Sequence, residues 1–171
     1  ITDDIKLSSG KAIKNAAGTA LLGEDGALGS GIVFPTGHII QHEFLPMTSE
    51  DATSSDEFET TGFYKAITPS STSNKVLIVV TTNLHNSAES YYYLQIIGST
   101  NGALGHSANG FGSIKGYAAN RHFATISYLD SPGVDVLETY TIHHKISDTA
   151  HTGAINVSGA TGYIHLFEIA G

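Results

Sequence analysis

The 171-residue sequence has no cysteine, no tryptophan, one methionine and only four prolines. Without cysteine there is no disulfide framework, no thiolate zinc site and no cysteine nucleophile. Positive charge is scarce as well: 8 Lys and Arg face 16 Asp and Glu, for a net charge of −8. That balance argues against a nucleic-acid or anionic-membrane partner, which needs clustered Lys and Arg. The longest unbroken apolar run, Val76 to Val80, is far too short for membrane insertion. Beginning at Ile1 and not at Met, the chain reads as a piece of something longer.

What is abundant points to strands and turns. Glycine numbers 19 and Ser plus Thr 36, while charged residues make up 14%. Such a composition, with β-branched and aromatic runs, is poor helix material. Alternating segments bounded by turn residues predict strands at His38–Phe44, Phe58–Ile67 (irregular at Gly62), Lys75–Leu84, Tyr91–Ile97, His122–Leu129, Glu138–Ile146 and Tyr163–Ile169. A weaker strand is expected at Ala154–Val157, and Gly98 to Asn120 reads as one long loop. The expected fold class is all-β: an antiparallel β-sandwich, jelly-roll-like, over residues 32–171. In its strongest strand Val76, Ile78 and Val80 share one face and Leu77 and Val79 the other. Both faces are apolar, so both should be covered.

Residues 1–31 read differently. Gly10, Gly18 and Gly26 recur at a spacing of eight, and Ile5, Ile13 and Leu21 recur in step with them. So few large apolar groups cannot form a core within one chain. Intertwined copies would let glycine crowd an axis while Ile5, Ile13 and Leu21 fill the seam, giving an extended trimeric stem. A flexible Gly/Ala linker and a single helix over Lys11 to Leu22 are the competing readings.

Three local phrases carry a resemblance. Ile67-Thr68-Pro69-Ser70-Ser71-Thr72-Ser73-Asn74-Lys75 resembles a turn-to-strand phrase in structural proteins of marine tailed bacteriophages. Ile126-Ser127-Tyr128-Leu129-Asp130-Ser131-Pro132, with Thr139-Tyr140-Thr141 and the closing Leu166-Phe167-Glu168-Ile169-Ala170, is similar to the end of the same proteins. The segment from Ile5-Lys6-Leu7 to Gly18-Thr19 resembles what precedes that domain. The resemblance implies a homotrimeric tail-fibre head on the virion, attaching the phage to a host cell-surface glycan or protein and touching other virion proteins. The alternative is a capsid decoration or connector with a purely structural role. It implies no catalytic motif and no cofactor, and the chain is not expected to be an enzyme.

Candidate site residues follow from side-chain chemistry. The Gly-rich stretch after Gly98 exceeds the usual loop length. It holds His106, Asn109, Phe111, Tyr117, Asn120 and Arg121, with Asn109, Phe111, Tyr117 and Arg121 the receptor-binding candidates. Asn and Arg supply directional donors, and aromatic rings a platform for a sugar face. No metal site is expected. His143 and His144 must point to opposite faces of a strand, and His38 and His42 lie too far apart for one ion. The acidic run Glu50, Asp51, Asp56, Glu57 and Glu59 lacks calcium-loop spacing. Gly29-Ser30-Gly31 follows no strand, so it is no nucleophile elbow.

Overall fold

Period-two alternation governs the chain from residue 36 onward. A computed structural model describes residues 13–14, 16–18, 20–22, 34–116, 121–157 and 159–171. Two compact units, Ile1–Pro35 and Thr36–Gly171, divide it. No helix occurs among the described residues.

In the first unit β1 (Ile13–Lys14) and β2 (Ala20–Leu22) form an antiparallel pair, with Ile13 opposite Leu22 and Lys14 opposite Ala20. Gly18, at φ +83°, belongs to the reversal between them. Within the described residues this segment is a hairpin and not a single helix. Ile13 and Leu21 lie on its two arms, and the trimeric stem expected of residues 1–31, an assembly of several chains, stays a proposal. The physical reason for the hairpin is the glycine, which takes a left-handed conformation at no steric cost and lets the chain turn back. Ile5 lies outside the described residues.

The second unit contains β3 (Ile39–Met47), β4 (Asp51–Thr53), β5 (Glu59–Ile67), β6 (Lys75–Asn86), β7 (Ser90–Gly98), β8 (Gly102–Leu104), β9 (Ser113–Gly116), β10 (Arg121–Asp130), β11 (Glu138–Ile146), β12 (Gly153–Ile155) and β13 (Gly162–Ile169). All pairings are antiparallel. In the first sheet β6 holds β10 on one edge and the in-line pieces β13 and β12 on the other. These in turn pair with β3 and β4. In the second sheet β11 lies between β5 and β7, and the far edge of β7 takes β9 and β8.

The sheets pack face to face because each strand gives its alternate apolar residues to a common core. Val76, Ile78 and Val80 of β6 are fully buried, as are Ile164 and Leu166 of β13; Ile96 of β7 and Tyr140 and Ile142 of β11 meet them. Leu77 and Val79, on the other face of β6, are only half-buried. The expected irregularity at Gly62 is present: its φ is +74°, and the β5–β11 register shifts between Thr141 and His143. The stretch after Gly98 is not one loop, since β8 and β9 lie within it.

Buried polar groups fix the strand ends. Glu168 of β13 is wholly buried, and its carboxylate accepts from Gln41 Nε2 (2.6 Å), Ser70 N (2.6 Å), Ser70 Oγ (2.8 Å) and Asn74 Nδ2 (2.5 Å). Burial alone would push its pKa up, but these donors outweigh it and hold the carboxyl below its ordinary value. At the same end of the sandwich, Gly37 N donates to Ala170 O and Ala170 N to His38 O, both at 2.8 Å. The break between β12 and β13 is held by Asn156, at φ +57°. Its amide donates to the carbonyls of Met47 (2.7 Å) and Ser49 (2.8 Å) and accepts from Gly162 N (2.8 Å).

Replacing Ile78 by Asp places an unpaired carboxylate in this core, at a cost of about 4 kcal/mol or more. Ile78→Asp should yield insoluble chain, and soluble protein with a wild-type circular dichroism melt would contradict the packing described.

Candidate binding surface

Two recesses open where the sheets part at the sides of the sandwich. The one between β9 and β10 encloses about 310 Å³, lined by Leu84, Tyr92, Leu94, Phe111, Ile114 and Ile126 among others, with Phe123 at its edge. The other, between β3 and β5, encloses about 530 Å³ and is lined by Leu45, Pro46, Phe63, Tyr64 and Lys65 with their neighbours. Neither contains a cluster of reactive groups. No group of three or more His, Asp or Glu side chains able to hold a metal occurs among the described residues.

The segment between β8 and β9 is built around one imidazole. His106 pairs with Gly110 through two backbone hydrogen bonds, of 2.9 and 2.7 Å. Its ring Nδ1 accepts from the backbone N–H groups of Ala108 and Asn109, each at 3.2 Å. The turn is then fastened to the scaffold: Phe111 N donates to Leu94 O at 2.9 Å, and the buried Gln95 amide reaches His106 O at 3.4 Å. Gly110 could be nothing else here, because a Cβ would sit 2.0 Å from Leu94 O at a φ of +57°. Ser107, Ala108 and Asn109 are left exposed at the tip.

Of the receptor-binding candidates, the described residues Asn109, Phe111 and Arg121 line no common recess. Asn109 is exposed at the tip. Phe111 is half-buried, with its ring edge-on to Tyr128 at 5.6 Å and packed on the core. It is therefore a packing residue with one side on the 310 Å³ recess and not a free platform. Arg121 begins β10 and shares a different, small recess with Glu50, His85 and Val157. Tyr117 and Asn120 lie outside the described residues.

Sequence reasoning did not find the buried chain Tyr92–His144–Asp51. Tyr92 Oη lies 2.5 Å from His144 Nδ1, and His144 Nε2 lies 3.1 Å from Asp51 Oδ2. Burial pulls the His144 pKa down to about 4, against a smaller upward pull from Glu59. The ring is thus neutral near pH 7: Tyr92 donates to Nδ1, and Nε2–H donates to the Asp51 carboxylate. This is a hydrogen-bonded brace and not an ion pair. Burial, then the nearby Glu59, raises the Asp51 pKa, and Glu59 itself accepts a short hydrogen bond from Thr53 Oγ1. Tyr92 and His144 are each 1% exposed, so no substrate reaches them. The two adjacent histidines do point apart, His143 half-exposed and His144 inward.

No protein-family model matches the sequence, and no curated protein matches it. Among solved structures the chain is similar to one from the structure of infectious bursal disease virus Gx strain, with 7% sequence identity and a TM-score of 0.46. The alignment covers 85% of this chain and 40% of that one, so this chain spans well under half of its length. At that score the likeness carries no argument about function.

The depressed His144 pKa has a signed consequence. Above pH 6.5 the ring is neutral folded or unfolded and contributes nothing to pH dependence. Below it the unfolded chain takes up a proton that the folded protein refuses. Stability therefore falls as pH drops from 6.5 towards 4, by on the order of 3 kcal/mol from this residue. His143 and His165, both lowered by burial, add in the same direction. Denaturant melts across this window should show a shallower decline in His144→Gln than in wild type. Parallel curves would refute the assignment.

Proposed function

We propose that the chain is the head of a virion appendage that associates as a homotrimer and recognises a host cell-surface glycan or protein through the tip at Ser107–Asn109, with Arg121 as a separate contact. The observation that carries this reading is the Gly-rich segment itself. A stretch with no core of its own is pinned by backbone bonds to Leu94 and by the His106 ring, so that polar groups are displayed on a rigid scaffold. Pre-ordering lowers the entropy lost on binding, and three copies would turn weak contacts into useful avidity.

Strand order supports a jelly roll as the finer description of the fold. With in-line pieces counted as one, the order is first, eighth, third, sixth in one sheet and second, seventh, fourth, fifth in the other. The phage-protein resemblance supports the virion location. The motifs within residues 67–170 meet in space: Ser70 and Asn74 donate to Glu168, and Tyr140 Oη donates to Asp130 at 2.8 Å. A capsid decoration or connector is the second reading. It is favoured by the separation of Phe111 and Arg121 into different recesses. In neither reading is the protein an enzyme, and neither calls for a cofactor.

Two measurements test the proposal. Light scattering on the full chain should give about three times the 17.9 kDa chain mass. Labelled protein should bind host cells, and Asn109→Ala and Arg121→Ala should each weaken that binding about tenfold or more with melting temperature unchanged. A trimer that binds neither cells nor glycan arrays would leave the purely structural role standing.

A further inference from the structure

The outward positions of the first sheet form three cross-strand rows: Phe44–His165–Val79–Ser127, His42–Phe167–Leu77–Leu129 and Pro46–Tyr163–Thr81–Thr125. Not one of these twelve positions is Asp, Glu, Lys or Arg, in a chain whose net charge is −8. Phe44 is 53% exposed, Leu129 48% and Tyr163 38%, and Phe123, further along β10, is 89% exposed. With strands about 4.8 Å apart and rows about 6.8 Å apart, the patch covers roughly 400 Å². Seven of the twelve positions are apolar or aromatic, and apolar patches of a few hundred Å² on a monomer are often functional. Loss of charge at the centre is also what marks the core of a protein interface.

The rings of the patch are ordered against one another. His42 stacks on Phe167 at 4.4 Å and 10°, and on His165 at 5.2 Å and 17°; Tyr163 stacks on His165 at 5.7 Å and 28°. His42 Nε2 and His165 Nδ1 are 2.9 Å apart, one donating to the other. His42 and Phe167 cover each other's faces, while the hydrogen bond sets His42 and His165 edge to edge. Without Lys or Arg the patch offers nothing to phosphate.

The second observation is the free edge beside it. Among the described residues β10 pairs with β6 alone, in unbroken register from Arg121 to Asp130. From His122 to Leu129 it carries no formal charge, no proline and no bulge, the usual devices that protect an edge strand. A surface and an edge left bare on the same side need one common cover.

We propose that the outer face of the first sheet, with the free edge of β10, is where copies of this chain pack on one another. A second copy is the occupant that the charge favours. Two molecules of net charge −8 repel, and this contact brings together none of their carboxylates. The inference rests on the self-association proposed above and names its surface.

The full chain carrying Phe44→Glu and Leu129→Glu should fall to single-chain mass in light scattering while keeping its β-sheet circular dichroism. Leu137→Glu, at a site 66% exposed before β11, should remain assembled. Hydrogen exchange on wild type gives a readout that needs no variant. The outward-pointing amides of β10 should be protected at high concentration and lose that protection on dilution to monomer. Wild type of single-chain mass would defeat both the homotrimer and this surface. Assembled wild type with an equally assembled double variant, or with unprotected β10 amides, would defeat this surface alone. A glycan that perturbs Phe44 and Leu129 in a monomer would do the same.

Discussion

The sandwich is organised around one buried carboxylate that no cation neutralises. Glu168 belongs to the last strand, yet its partners come from the first strand of the sandwich, Gln41, and from the turn before the central strand, Ser70 and Asn74. Removing a carboxylate from water costs several kcal/mol unless its lone pairs are filled. Four charge-assisted donors fill them here, each worth more than a neutral hydrogen bond. The remaining end of the Asn74 amide accepts from Gly171 N at 3.1 Å, so the chain terminus joins the same knot. Asp130 and Glu138 repeat the solution. Asp130 accepts from Tyr140 Oη and Asn101, and Glu138 from the backbone and hydroxyl of Thr100.

This explains why short polar phrases in the sequence carried more information than they seemed to hold as turns. Pro69 to Asn74 reads locally as a reversal that leads into β6, which it is. Its serine and asparagine also have a distant acceptor 94 to 98 residues away, which local turn chemistry does not reveal. Strands were legible wherever alternation ran for eight residues or more, as in β6, β10, β11 and β13. It failed for β8 and β9, three and four residues long, which exist because the edge of β7 offers them unpaired backbone. The hairpin of β1 and β2 was hidden for a related reason. A glycine repeat suits a crowded axis and a tight turn equally well.

For the candidate site the sequence marks a stretch and not which of its side chains face outward. Glycine content marked the stretch after Gly98, but which side chains face outward depends on how the segment is tied down. The Leu94 carbonyl draws Phe111 inward, and the His106 ring is consumed in holding its own turn. The brace of Tyr92, His144 and Asp51 left no sequence signal beyond inward parity on β7 and β11. The Tyr163, His165 and Phe167 alternation was readable as a strand face. Only the pairing with β3, which sets His42 and Phe44 beside it, turns it into a continuous aromatic surface.

The pairing of β3 with β13 also sets how the sandwich answers tension. Any pull delivered at Thr36 enters along β3, whose start is fastened to Ala170 by two hydrogen bonds and to Glu168 through Gln41. Against an anchor at the far end of the sandwich, β3 is loaded in shear along its length. The whole register from Ile39 to Met47 must then slip together, where peeling would break one bond at a time. Forced unfolding is governed by the rate of that concerted step. The first strand of the sandwich is its mechanical clamp.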